Sequence, residues 1–228
     1  MTPSTNPFTM LLDVFRAPSS CFAALYQRGM WGWWPYLLLI LSPFAFWGSY
    51  FDLVNFAWLK AELVLQMTQV APDQLELIDA NTLLATEVMR NIAGRSFTIL
   101  LLALWFKLAT QGDQVKMSYW KWFAVSSVIL FPALLGDFAS YVSLLLKHGQ
   151  VMSYAADLNS LNGLLKLPLT SEWATFARAF PLLLPWYIVL GYAALGVLST
   201  VERGQALVIS ALPWLGYFLC WALIILIS

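Results

Sequence analysis

Charge is scarce in this chain. Twelve basic and twelve acidic residues among 228 make 11% of the total and cancel, so no net field gathers nucleic acid or an acidic substrate, and nucleic-acid binding is set aside. Cysteine is nearly missing as well. Cys21 and Cys220 stand near opposite ends without a CxxC spacing or a Cys/His cluster, and both read as apolar fillers. The one histidine, His148, follows Lys147 with no second metal-type ligand beside it. A metal site is not expected there, and His148 reads as a solvated residue at a membrane boundary. No Ser/His/Asp order, phosphate-binding loop or GxGxxG occurs in a suitable context; the chain nominates no catalytic residue and no cofactor, and an enzyme is not expected. No basic residue precedes Arg16 and no cleavage pattern follows a short apolar core, so the first span rather than a removable leader is expected to direct insertion.

Apolar side chains are what the sequence has in excess. At 61% hydrophobic with a mean hydropathy of +0.73, a soluble domain would expose greasy residues over most of its surface. The fold class is therefore an all-α integral membrane protein, with 1–228 forming a single membrane domain. Five segments reach the ~20 apolar residues that a spanning helix needs: 31–51, 91–110, 119–146, 179–200 and 205–227. Backbone groups in lipid must be satisfied within the segment, so each is helical. Trp31, Trp33, Trp34 and Tyr36 at the start of the first, and Tyr119, Trp120 and Trp122 at the start of the third, read as interfacial aromatic belts. Residues 1–30 hold two short interfacial helices: Phe8, Leu11, Leu12 and Phe15 recur at three- and four-residue spacing, Pro18 ends the first helix, and Ser19 or Ser20 caps the second, Cys21–Arg28. They either pack on the bundle or lie on the lipid headgroups.

The loop 52–90 is acidic, with Asp52, Glu62, Asp73, Glu76, Asp79 and Glu87 against Lys60 and Arg90, and a break at Pro72–Asp73. The loop 147–178 carries Asn159, Asn162 and Gly163 before Pro168, with Thr170 or Ser171 and Glu172 opening the fourth span. Six basic residues, Arg16, Arg28, Lys107, Lys116, Lys121 and Arg203, fall on the short connections, which predicts a cytoplasmic N-terminus; the expected location is the inner membrane.

Asp137 is the residue on which a functional question hangs, because a carboxylate inside a span costs roughly 2.5 kcal/mol or more and faces protein or water rather than lipid. Arg95 in the second span is within reach of it on an antiparallel neighbour, making Arg95 and Asp137 a candidate polar pair. Such a pair serves either as glue between helices or as an ion- or proton-responsive station. Pro132, Pro181, Pro185 and Pro213 each free a backbone carbonyl. Gly136 and Ser140 form a small-xxx-small pair, and Gly191 and Gly196 thin the fourth span, so close helix packing is expected at these four positions.

The order Leu158-Asn159-Ser160-Leu161-Asn162, then Leu167-Pro168-Leu169-Thr170-Ser171, Phe180 to Trp186, Leu190-Gly191-Tyr192, Arg203-Gly204-Gln205-Ala206-Leu207 and a last span with Trp214 resembles the bacterial branch of the Yip1 family. Asp13-Val14-Phe15-Arg16-Ala17-Pro18, followed by Phe22, looks like that family too. The resemblance implies five helices, a cytoplasmic N-terminus and no enzymatic activity, and supplies no catalytic residues. Two functions stand side by side: an organiser or adaptor that binds other membrane proteins, itself or lipid, and a small transporter or channel that uses Asp137 with Arg95 or Lys107. A dry, paired Asp137 favours the first and a continuous polar cavity the second.

Overall fold

The computed structural model describes residues 2–66, 79–146 and 149–227. Pro72, Asp73, Glu76, Lys147 and His148 lie outside the described residues. Those described are helical, with one isolated bridge between Ser160 and Pro181 and no named strand. In chain order the helices are α1 (Pro7–Arg16), α2 (Pro18–Gln27), α3 (Trp33–Leu53), α4 (Phe56–Gln66), α5 (Ala80–Ala109), α6 (Tyr119–Leu130), α7 (Ala133–Leu146), α8 (Ser153–Ala156), α9 (Leu161–Leu165), α10 (Ala174–Ala179), α11 (Leu184–Leu198) and α12 (Arg203–Ile227).

Among the described residues four stretches are long and apolar enough to cross a membrane: Gly29–Leu53, Ala80–Ala109, Tyr119–Leu146 and Arg203–Ile227. The expected segment at 179–200 contains only α11, whose 15 residues reach ~22 Å, short of a ~30 Å hydrocarbon core. Pro181 stands ahead of α11 in extended backbone and Pro185 in its first turn, so neither kinks it. Pro132 breaks the third stretch outright into α6 and α7. α5 begins at Ala80, eleven residues earlier than its apolar run, and this places Arg95 at mid-helix rather than one turn inside the start.

The chain divides into two compact units, the first Met1–Ile40, Gly94–Pro132 and Leu183–Leu219 and the second Leu41–Ala93, Ala133–Leu182 and Cys220–Ser228. In the first, α2 packs on α1, α6 and α11. Asn6 caps α1 by accepting from the Thr9 N–H at 2.8 Å. Pro18 opens α2 instead of merely ending α1, and Ser19 and Ser20 fall inside that helix rather than capping it. α1 buries Met10 and Val14, α2 buries Cys21, Phe22 and Leu25. Burial pushes the Cys21 thiol up, with the Asp13 charge adding to it; it is a small apolar group here. Gly32 lets two backbones meet, since a Cβ there would stand 2.2 Å from the Ala124 Cβ and 2.6 Å from its Cα. Trp122 is fully buried and stacks on Phe106 with ring centroids 5.3 Å apart, so it belongs to the core and not to an aromatic belt. Trp33, Trp34 and Trp120 are exposed, as belt residues are.

The second unit builds its core from Phe46, Trp47, Tyr50, Val54, Leu59, Val88, Leu144, Val151, Met152, Tyr154 and Ala156. Trp47 packs edge-on against both Phe46 and Tyr50, and the Tyr50 hydroxyl donates to the Val151 carbonyl at 2.7 Å. Gly149 turns the chain at φ +72, where an L side chain is strained, and its carbonyl accepts from the Asn55 N–H at 2.8 Å. Asp79 caps α5, accepting from the Thr82 N–H at 2.7 Å and the Thr82 hydroxyl at 2.9 Å; the backbone bond first, then the side-chain one, hold its carboxyl below the usual range.

Candidate functional site: a buried carboxylate and two proline gaps

Asp137 lies one turn into α7, just past the Pro132 break, and is 9% exposed. Its two oxygens are taken separately. Ser42 Oγ donates to Oδ2 at 2.5 Å and Asn159 Nδ2 donates to Oδ1 at 2.5 Å. Asn159 is placed by its own loop, where its N–H donates to Asp157 Oδ1 at 2.9 Å, an Asx-type turn that aims the amide inward. Gly136 makes the space: a Cβ there would stand 1.7 Å from Asn159 Oδ1 and 2.3 Å from its Cγ. Ser140 then pins the loop, accepting from the Leu158 N–H at 2.7 Å while donating to the Gly136 carbonyl at 2.7 Å. The Gly136/Ser140 pair therefore accommodates a loop.

That loop is itself held by an extended segment. Leu161 N–H donates to Phe180 O and Leu182 N–H to Asn159 O, both at 2.9 Å, around the Ser160–Pro181 bridge. Ser160 caps α9 through the Gly163 N–H at 3.2 Å, and Asn162 closes its far end by bonding the Leu167 N–H at 2.9 Å. Irregular backbone in a membrane protein is tolerated where it is buried in protein, and these bonds satisfy it. In the same unit Glu87 bridges Arg178 at 2.5 Å and Arg90.

Arg95 belongs to the first unit and has a local task. Pro43 sits inside α3 and removes the bond that the Leu39 carbonyl would otherwise accept; Arg95 Nη1 donates to that carbonyl at 2.9 Å. The same device recurs on α5 ten residues on. Pro213 sits inside α12, freeing the Ile209 carbonyl, and Trp105 Nε1 donates to it at 2.8 Å. Lys107 is exposed near the end of α5. Gly191 is a packing position, where a Cβ would lie 3.2 Å from Ser210 Cβ and Oγ and 3.4 Å from Phe106 Cζ; Gly196 is exposed with nothing within 4 Å.

Two clefts, of about 350 and 230 Å³, lie in the first unit around the 110–117 turn. The larger is lined by Asp113, Thr200, Glu202 and Gln205, among others, and neither is lined by Asp137. Asp113 ties the turn to the α11–α12 connection, accepting from the Thr200 N–H at 2.7 Å and from the Thr200 hydroxyl. Burial works to raise the Asp113 carboxyl, but the Thr200 and turn N–H bonds outweigh it and hold it below the usual range. No group of three or more His, Cys, Asp or Glu suited to a metal occurs among the described residues.

Long apolar helices, proline gaps closed by side chains and a buried intramembrane carboxylate define a multi-pass, all-helical membrane protein. The Yip1 domain matches residues 12–224, and the chain belongs to the Yip1 family. Comparison with curated proteins and with solved structures gives no match.

Sequence reasoning reached Asp137, Gly136 and Ser140 but missed Ser42, and it read Asn159 only as a turn residue. Both partners lie far away in sequence, 95 and 22 residues from Asp137. The legible signal was Asp157-Leu158-Asn159, an Asx-turn spacing, which fixes a loop but not what the loop faces. Pro43 was missed as well, although it marks a helix gap as plainly as the other prolines do.

Proposed function

We propose that this chain is a non-enzymatic organiser or adaptor, a five-span, bacterial-branch Yip1 protein of the inner membrane whose helices bind other membrane proteins, a second copy or lipid. One observation carries the reading: both oxygens of the intramembrane carboxylate are occupied by side chains of its own unit, Ser42 and Asn159, at 9% exposure. A carboxylate spent in this way fixes a loop on a helix. A carrier needs its charge to meet a wet path, with further polar stations along it. The N-terminus is cytoplasmic and α11 is the fourth span, shortened because Phe180–Leu182 is engaged with the Asn159 loop; basic residues on the short connections support the orientation.

The transporter reading draws on one feature, the helix breaks at Phe131–Pro132 and before α11, since discontinuous helices frame many transport sites. Purified protein in liposomes separates the two. The adaptor reading expects no proton, sodium or potassium flux above empty vesicles at neutral and mildly acidic pH, and a flux abolished by Asp137→Asn would replace it with the transporter. Topology is tested by reporter fusions at Gln114 and after Ser228, which five spans place on opposite sides. Reports from the same side would reject that count.

A further inference from the structure

Exposed apolar side chains and cations at the ends of spans are both ordinary on a membrane protein, so what counts is where two such cations are held close together. Arg28 and Lys121 are such cations. Arg28 Nη1 donates to the Thr5 carbonyl at 3.2 Å and its guanidinium stands 4.6 Å from the Trp31 ring. Lys121 Nζ donates to the Tyr26 carbonyl at 3.4 Å and stands 4.7 Å from the Tyr26 ring. The two arise from adjoining backbone, because a Cβ on Gly29, next to Arg28, would lie 3.9 Å from Lys121 Cγ. Each of these bonds goes to a neutral carbonyl and uses one donor of five on the guanidinium and of three on the ammonium. Around them Met30 is 75% exposed and Trp120 64%. On α1, Met10 and Val14 face the protein while Phe8 and Leu12 are exposed, so this helix also carries an exposed apolar edge. Cations flanked by exposed aromatic and aliphatic side chains at the head of a span match a lipid headgroup lying over its acyl chains.

We propose that Arg28 and Lys121 form a binding site for the phosphate of an acidic phospholipid, with Met30 and Trp120 against its glycerol and upper acyl region and α1 lying in the same interface. The site is confined to the first unit and does not involve Asp137, so it stands or falls separately from the adaptor reading.

The test uses the full-length protein in neutral detergent, titrated with phosphatidylglycerol or with phosphatidylcholine of the same chains and followed by native mass spectrometry. With a gain of about fivefold per cation near a lipid surface, phosphatidylglycerol should bind at least tenfold more tightly. The double variant Arg28→Gln/Lys121→Gln should lose that preference while binding phosphatidylcholine as before. Lys116→Gln/Arg203→Gln, which removes two bases elsewhere in the same unit, should keep it. The charge-preserving Arg28→Lys/Lys121→Arg should also keep it, and rising salt should weaken it in the unmodified protein, which leaves the proposal open to failure even where the Gln variant does not fold. Equal binding of the two lipids, or an unchanged preference in a folded Gln variant, overturns the site. An equal loss in the Lys116/Arg203 control replaces it with a diffuse field, and displacement of the lipid by inorganic phosphate at the same concentration replaces the lipid with a free phosphate.

Discussion

The two units carry opposite charge. By sequence the first holds seven bases, Arg16, Arg28, Arg95, Lys107, Lys116, Lys121 and Arg203, against Asp13, Asp113 and Glu202, a net of +4. The second holds nine acids, Asp52, Glu62, Asp73, Glu76, Asp79, Glu87, Asp137, Asp157 and Glu172, against Lys60, Arg90, Lys147, Lys166 and Arg178, a net of −4. A chain that sums to zero thus holds two units of opposite net charge. The units also differ in how they quiet polar groups. The first closes proline gaps with side chains from one helix, Arg95 and Trp105, whereas the second folds an irregular loop onto a carboxylate.

The largest effect expected from this difference is at two glycines. Gly32→Ala drives a methyl into the backbone of Ala124, which cannot move without shifting α6, and overpacking of this kind costs about 3 kcal/mol or more. Gly136→Ala meets the Asn159 amide first, a side chain that can swing away at the cost of its bond to Asp137, about 1–3 kcal/mol. Thermal unfolding in detergent should place Gly32→Ala well below Gly136→Ala. The reverse order would show that the polar loop, not the backbone contact, is the tighter joint.

Next in size is the carboxylate itself. Asn159→Ala leaves Asp137 short of a donor inside the protein, at about 2 kcal/mol for a bond to a charged group. Adding Asp137→Ala should cost less in that background than in the unmodified protein, because the two share one interaction. Strict additivity in unfolding midpoints would mean that the bond contributes nothing.

Trp105 and Pro213 give a third contrast. Trp105→Phe orphans the Ile209 carbonyl, and an unpartnered buried acceptor costs about 1–3 kcal/mol. Pro213→Ala supplies a helical N–H to that same carbonyl, so Trp105→Phe should be nearly silent in the Pro213→Ala background. A loss of equal size in both backgrounds would assign the cost to ring packing instead.

The all-α class, the long spans and Asp137 were legible because they rest on apolar run length and on one charge out of place, which are local properties. Trp122 was misread as a belt residue because its neighbours Tyr119 and Trp120 sit at the same boundary, and only the packing of Phe106 tells a core ring from a belt ring. The break before α11 was hidden for a different reason. Composition continues apolar through Phe180–Leu183, so hydropathy sees a span where the backbone is held extended by bonds to the Asn159 loop. One acceptor that Arg95 serves, Leu39 O, was hidden because it is a backbone atom left open only by Pro43 four residues further on.

The smallest effect is set by pH and belongs to the first unit alone. Hydrogen bonds from Thr200 and the turn hold the Asp113 carboxyl below its usual range against the opposing pull of burial. A depressed carboxyl contributes stability that is fully present above its unfolded pKa, about 3.9, and disappears as pH falls through the lower folded value. The difference in unfolding midpoint between the unmodified protein and Asp113→Asn should therefore be constant from neutral pH down to about pH 5 and shrink towards zero below about pH 4. Because the turn is open to water, this shift should be smaller than the losses expected at the glycines, the carboxylate and Trp105. Thr200→Val should reduce the same pH-dependent difference without removing it, since it takes away the hydroxyl that bonds the carboxylate but keeps the Thr200 and turn N–H donors. A difference that instead grows on acidification would mean that Asp113 is held protonated in the folded protein and that the turn is closed by something other than the Thr200 bonds.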